Sequence, residues 1–411
     1  MKYVIIGNSA AGVTAAEVIR STAKKSEITI ISDERFGPYC RIFTSSYIAG
    51  EITENEMLMR PRNFYDEFKI KHLLGKKVKT LFVKEKKIQI DDGKKISYDK
   101  LLIATGATPT FPDIPGIKLS GVFGLRTIED ANAIVKRIAK TKRAIIIGGG
   151  LVSCKAAYSL IKRGLKVTIV VASNRLLSQM LDNEASAIVQ KKAESLGIEI
   201  KFNTDVKEIF GKESVSGVIL NDGTKIICEL VVVGKGVKPN IDFLKGSGVK
   251  VDRGVIVDKY LNTNIPDIFA AGDVAQGWDS LYEDNRINAM WPNAVVQGKI
   301  AGLNMAGEKI SYEGGYAMNI GEFFGIPAVS FGISRPKEEG FKEVVVNTAN
   351  KYKKFVLKDD KLVGYINVGD VTGSGFMNNL ILSEKDVSEE KFADIKLRRY
   401  NIPIALRNQY L

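Results

Sequence analysis

The sequence predicts an α/β fold built from two strand–glycine turn–helix units and closed by a C-terminal α+β domain. Three observations carry this prediction. Residues 3–6 form a short apolar run that feeds into Gly7-Asn8-Ser9-Ala10-Ala11-Gly12 and then into a helical stretch, 13–20. The same order returns at 143–163 around Gly148-Gly149-Gly150-Leu151-Val152-Ser153. From Glu313 on, the pattern changes to short strands punctuated by glycine. A buried strand, a tight glycine turn and a helix in direct succession make up the context of a dinucleotide fingerprint, so both units are expected to be Rossmann-like.

Each element follows in chain order. In the first unit, Gly7 permits the turn, the small Ser9 lets a pyrophosphate approach the backbone, and Gly12 lets helix and strand pack closely. Phosphates would sit at the helix start, where unpaired N–H groups and the dipole favour negative charge. Ser9 stands where the middle glycine of the fingerprint is usual. The run EITIIS at 27–32 reads as the second strand and ends at Asp33 and Glu34, where an acid binds an adenosine ribose hydroxyl in such folds. Residues 36–41 read as a loop, 45–49 as a helix, and 78–96 as a meander of short strands turning at 91–93. YDKLLIATGATP, from Tyr98, is a buried strand ending in Thr105-Gly106, and the proline-bearing stretch 110–116 marks a domain boundary.

The second unit is strand 143–147, the glycine turn, helix 154–163 capped by Gly164, and strand 166–171. A strand at 229–234 leads into Gly236-Val237-Lys238-Pro239-Asn240, and IPDIFAAGDVA, from Ile265, ends in Gly272-Asp273. Taken singly, Thr105-Gly106 reads as a strand-end turn and Gly272-Asp273 as a helix N-cap. In the C-terminal domain a helix is expected near 385–394. The tail 396–411 mixes basic and apolar positions and reads as a surface tail or a subunit contact.

Composition bounds the function. A chain of 411 residues is too long for one core, so two or three domains are expected. Hydrophobic content of 45% and charged content of 26% are those of a globular protein. No run of about 18 apolar residues suggests a membrane span, and a strand at the very N-terminus leaves no room for a signal peptide, so a cytoplasmic location is expected. Cys40, Cys154 and Cys228 lie far apart without a CxxC, and His72 is the single histidine, which excludes zinc-finger spacing, a disulfide framework and a His-rich metal site. The formal charge of +13 fits a lysine-rich solvated surface, with patches such as Lys84-Glu85-Lys86-Lys87 and Lys351-Tyr352-Lys353-Lys354, or an acidic protein partner. Nucleic acid is not expected, because no recognition motif accompanies the charge.

With two glycine turns, YDKLLIATGATP, VVVGKGVKPN and NIPDIFAAGDVA in this order, the chain resembles the FAD-dependent pyridine nucleotide–disulfide oxidoreductase superfamily over its whole length. The Gly-Pro-Tyr-x-Arg loop at 37–41 and WPNAVVQGKIAGLNMAG at 291–307 are most similar to its branch of rubredoxin reductases, nitrite reductase flavin regions and NADH oxidases. The resemblance implies two glutathione-reductase-type domains, with FAD held by residues 1–109 and 238–312, NAD(P)H by 110–237, and a flavin-covering, dimerising domain at 313–411. It implies that Gly7, Ser9, Ala11 and Gly12 cradle the FAD pyrophosphate and that Asp33 or Glu34 holds the adenosine ribose. Arg41, Val78, Arg126 and Gly236 would contact cofactor, Thr105-Gly106 would mark the domain crossover, and Gly272-Asp273 would bind the ribityl and phosphate portion. Trp291-Pro292 would lie near the isoalloxazine, and Gly148, Gly150 and Ser153 would form the NAD(P)H turn.

Three departures from that pattern bear on chemistry. The position of the relay cysteine in coenzyme A disulfide reductases falls on Ile42. Cys40, two residues earlier, reads as an ordinary thiol, although a helix start and Arg41 beside it would each lower a thiol pKa. The second fingerprint ends in Ser153 and continues Cys154-Lys155 where Leu-Glu is usual. The strand after it ends in Val171 where an NAD site carries an acid, while Arg175 is close enough in sequence to meet a 2′-phosphate, so NADH, NADPH and a degenerate site all stay open. The reading is an FAD-dependent oxidoreductase passing electrons from NAD(P)H to a rubredoxin, ferredoxin or other Fe–S protein without a cysteine relay. The alternatives are a flavin subunit of a larger oxidoreductase complex, an NADH oxidase or peroxidase, and a non-catalytic scaffold.

Overall fold

The computed structural model describes residues 1–384 and residue 387. They form two compact units, one of residues 1–110, 126–128 and 236–315, the other of 111–125, 129–235 and the chain from Tyr316 on.

The first unit is organised on a five-stranded parallel sheet in the order Ile268–Ala270, Lys100–Ile103, Lys2–Ile6, Glu27–Ser32, Lys71–Leu74. Parallel strands covered on both faces read as continuous apolar runs, and Ile5, Ile30, Leu101, Leu102 and Ile103 are all fully buried. Each such side chain contributes about 1.5–3 kcal/mol of transfer free energy. The helix Ala10–Thr22 starts three residues before the expected 13–20, because Gly12 lies inside it rather than ahead of it. Its small face meets the helix Trp291–Met305: a Cβ at Gly298 would fall 2.3 Å from Ala11 O, and one at Gly302 2.9 Å from Ala15 O. The meander is present as Val78–Phe82, Lys87–Ile90 and Lys95–Ser97, all antiparallel. Where the chain leaves and re-enters the unit, Ala107–Pro109 pairs antiparallel with Val237–Pro239.

The second unit holds another parallel sheet, ordered Glu199–Phe202, Lys166–Val171, Arg143–Ile147, Leu230–Val233, Val122–Phe123. Its helix Leu151–Lys162 again begins three residues earlier than expected, directly on the glycine turn. The C-terminal part is a five-stranded antiparallel sheet, Met318–Phe323, Ile326–Gly332, Lys361–Val368, Lys351–Lys358, Lys342–Thr348, joined by a helix, Ser374–Leu382, that sequence reading missed. The expected α/β class with a C-terminal α+β region is therefore the observed one. The helix expected near 385–394 (Val387 aside) and the tail 396–411 fall outside the described residues.

One reading from composition is corrected here. Lys353 and Lys354 are not part of a solvated surface; each is 4% exposed. Lys353 lies 3.4 Å from Asp370 and donates to Thr372 O at 3.4 Å, and Lys354 lies 3.0 Å from Asp182 and 3.1 Å from Glu343. Charge runs are solvated only where the strand has an open face; this strand, Lys351–Lys358, is covered along six consecutive residues. Among the described residues no helix is long and apolar enough to cross a membrane, and no cluster of His, Cys, Asp and Glu is placed to hold a metal.

Candidate functional site

In the first unit the chain after strand Lys2–Ile6 turns at Gly7, whose φ is +125° and whose absent Cβ would lie 2.0 Å from Ala104 O. A Cβ on Gly12 would in turn lie 2.0 Å from Gly7 O. Both glycines are thus required by the closeness of the backbone itself. Ser9 is the N-cap of helix Ala10–Thr22 in extended conformation, but its side chain caps nothing and no acid lies in the first turn. The first-turn amides of a helix have no carbonyl ahead of them, so this end is built for an anion. The Ser9 hydroxyl is instead met by Arg41, whose Nε donates to Oγ at 3.3 Å.

Arg41 sits at the centre of the polar group beside this turn. Its guanidinium donates to Glu34 and, at 3.2 Å, to Tyr39 OH, and reaches Arg126 O at 3.4 Å. Tyr39 OH donates to the other Glu34 oxygen and accepts from Ile128 N at 2.9 Å. Burial pushes the Tyr39 phenol up, with Arg41 opposing and Glu34 adding to the rise. Of the two acids expected at the strand end, Glu34 therefore has both oxygens engaged within the protein, while Asp33 stays exposed. Arg126 forms an ion pair with Asp273, so residues 147 apart in sequence are brought together.

Gly272 has φ +79°, and a Cβ there would be 3.2 Å from the Ala11 Cβ. Its N–H donates to Gln297 Oε1 at 2.8 Å. Gln297, which sequence reading missed, donates to Tyr312 OH at 3.3 Å, and Tyr312 donates to Asn293 at 2.6 Å. The signal was present in WPNAVVQG, since Asn293 and Gln297 are four apart and share a helix face. Thr105 Oγ1 donates to Asn240 O at 2.8 Å and Asn240 Nδ2 returns to Thr105 O at 2.8 Å, which locks the crossover next to Gly106. Gly236 has φ +87° and open space where a Cβ would stand. Val78 is buried and pairs with Ile90, and Trp291 packs against the core at the start of its helix with Pro292 beside it.

The helix start and Arg41 beside Cys40 do not bring its thiol below the ordinary range. Burial pushes the thiol up, and backbone bonds at Ile42 and Phe43 only partly oppose this. The buried Cys154 and Cys228 are likewise pushed up to about 12 by burial. Ile42 is 59% exposed at the relay position.

The second turn repeats the first. Gly148 has φ +110° and its Cβ would lie 2.4 Å from Gly234 O; Gly150 is the N-cap of helix Leu151–Lys162, with no side-chain cap and no acid in the first turn. Ser153, in the place of the last glycine, is accommodated because the facing residue is Gly234: a Cβ there would fall 2.1 Å from Ser153 Oγ. The close helix–strand approach is kept by moving the glycine to the other partner. Lys155 Nζ lies 5.6 Å from the Phe323 ring centroid, stacked on the C-terminal sheet. Arg175 turns inward: Nε donates to Leu181 O at 3.1 Å and Nη1 to Asn183 Oδ1 at 3.2 Å.

Residues 1–298 match the Pyridine nucleotide-disulphide oxidoreductase family, and 318–385 the Rubredoxin NAD+ reductase C-terminal domain. The NADH-dependent phenylglyoxylate dehydrogenase subunit epsilon of Aromatoleum evansii is 32% identical over 94% of this chain and 93% of its own length. Rubredoxin-NAD(+) reductase of Ectopseudomonas oleovorans is 30% identical over 75% of this chain and 80% of its own. The ferredoxin reductase for the CYP199A2 system from Rhodopseudomonas palustris superposes with a TM-score of 0.88 at 26% identity, covering 97% of this chain and 98% of that one. The chain spans about half the length of two Bacillus subtilis relatives, an assimilatory nitrate reductase electron transfer subunit (50%) and a nitrite reductase (48%).

Proposed function

As the chain belongs to the pyridine nucleotide-disulphide oxidoreductase family, we propose that it passes electrons from NAD(P)H through FAD to an Fe–S protein of the rubredoxin or ferredoxin kind, without a cysteine relay. It is an oxidoreductase with FAD and NAD(H) as cofactors. The observation that carries the reading is the pair of glycine-built turns, each ending on an uncapped helix start without an acid. Both cradles fit a pyrophosphate, and burial raises the thiols of Cys40, Cys154 and Cys228, which disfavours the thiolate a relay would use.

The chemistry that FAD supplies when bound is hydride acceptance from NAD(P)H and release of single electrons. In this reading Gly7, Ser9, Ala11 and Gly12 receive the FAD pyrophosphate, and Asp33 takes the adenosine ribose while Glu34 holds Arg41 in place. The Arg126–Asp273 pair and Gly272 line the ribityl end, and Gly148, Gly150 and Ser153 receive the pyrophosphate of NAD(P)H. Residues 1–109 with 238–312, 110–237 and 313–411 serve as the FAD, NAD(P)H and C-terminal domains, in a cytoplasmic protein that can form a homodimer. An acidic partner suits the +13 charge.

A second reading has support of its own. The phenylglyoxylate dehydrogenase subunit matches along nearly its entire length, which favours a flavin subunit of a larger complex. Anaerobic stopped-flow absorbance at the flavin band, with NADH and separately NADPH, separates the two. Fast bleaching is expected with at least one donor. Reduction by dithionite but by neither nucleotide would sink the free-standing reductase and leave a partner-fed flavin subunit.

A further inference from the structure

The stretch that follows strand Lys166–Val171 is held from two sides. Within it, Leu177 adopts φ +51° and its N–H donates to Gly149 O at 2.7 Å, tying this loop to the middle of the second glycine turn. Leu176 packs over the same turn, where a Gly149 Cβ would come within 3.4 Å of its Cδ2, and its carbonyl accepts from Ser186 Oγ at 2.8 Å. From outside, Arg335, just beyond the C-terminal strand Ile326–Gly332, donates through Nη1 to Ser178 O and through Nη2 to Gln179 O. Arg175 donates to the same Ser178 O at 3.4 Å from the loop's inner side. The neighbouring Asp182, N-cap of helix Asn183–Ser195, accepts from Tyr352 OH at 2.7 Å and pairs with Lys354.

Two arginines thus converge on one carbonyl, and neither is exchangeable for a point charge, since each spans several acceptors with a planar fork. The loop carries the residue that would read a 2′-phosphate, yet that residue, Arg175, is engaged by Leu181 O, Ser178 O and the Asn174 and Asn183 side-chain oxygens. We infer that Arg335 is a positioning residue for the second nucleotide site. By pinning Ser178 and Gln179 it holds the Gly149 carbonyl in register and keeps Arg175 folded inward, so that the site selects NADH over NADPH. This rests on the reading that the second turn binds a pyridine nucleotide.

The test is calorimetric titration of the FAD-loaded protein with ADP-ribose and with its 2′-phosphate, for the native chain, Arg335→Ala and Arg335→Lys. The native chain should favour ADP-ribose. Arg335→Ala should weaken ADP-ribose binding about tenfold, the value of charge-assisted hydrogen bonds lost from a loop, and should shrink the preference over the 2′-phosphate by at least about threefold. Arg335→Lys, which keeps the charge but not the fork, should fall between. The relative gain for the 2′-phosphate should vanish in Arg335→Ala/Arg175→Ala. Amide exchange in 176–182 should also quicken in Arg335→Ala, with no nucleotide present. A folded, yellow Arg335→Ala or Arg335→Lys with the native preference and native exchange overturns the role of Arg335 alone. A native chain that binds neither probe overturns the nucleotide reading and the inference together.

Discussion

At Gly7 the backbone of one strand runs so close to Ala104 that a single methyl group has no place, and the left-handed φ disfavours any side chain as well. Gly7→Ala should therefore yield a protein that has lost FAD, read as a flavin-to-protein absorbance ratio below about a tenth of the native one, with the turn displaced at a cost of a few kcal/mol. The same closeness explains how a departure from the fingerprint is tolerated. Ser153 needs room that a glycine would not, and Gly234 across from it provides that room. Val171 and Arg175 show the limit of sequence at this scale. The missing acid is visible in one dimension, whereas the direction taken by the Arg175 guanidinium depends on carbonyls at Ser178 and Leu181 that the fold places around it.

At the scale of an element, the strand Lys351–Lys358 inverts what its composition suggests, because Asp370, Asp182 and Glu343 stand where solvent would otherwise be. Burial raises the Asp370 pKa, but bonds from Thr372 and the charge of Lys353 outweigh it and the net shift is downward. Burial lowers the Lys353 pKa, with Asp370 opposing. For Asp370, with a folded pKa below the unfolded one, the contribution to stability is complete above the unfolded pKa and is lost as pH falls through the folded value. Asp370→Asn should then cost about 3 kcal/mol at pH 7 by leaving the Lys353 ammonium buried without its carboxylate. That difference should shrink as pH falls below the ordinary aspartate range. Urea unfolding of both proteins from pH 7 downward measures this, and an undiminished difference in acid would refute the assignment.

At the scale of the molecule, a charge of +13 survives the internal pairing of buried lysines, so electrostatic steering of an acidic carrier is expected. With an acidic Fe–S protein as acceptor, kcat/KM should fall at least about tenfold between low salt and about 0.5 M, while turnover with a small uncharged acceptor changes less than about twofold. Steady-state assays across a salt series decide this. Equal salt dependence for both acceptors would mean that the charge does not serve docking.

The α/β class, both glycine turns and the strands that lead into them were legible in the sequence, because apolar runs and glycine turns act over a few residues and leave a local pattern, whereas the order of the strands within each sheet was not. Helix starts were misplaced by three residues at both turns, since Gly12 and Ser153 mark close packing rather than the helix boundary. Arg126 against Asp273, the buried Lys353 and Lys354, and Arg335 on the Ser178 turn were decided by tertiary structure alone. Each depends on which distant carbonyl or carboxylate arrives within hydrogen-bonding distance, and that distance is set by the packing of whole elements rather than by sequence neighbours.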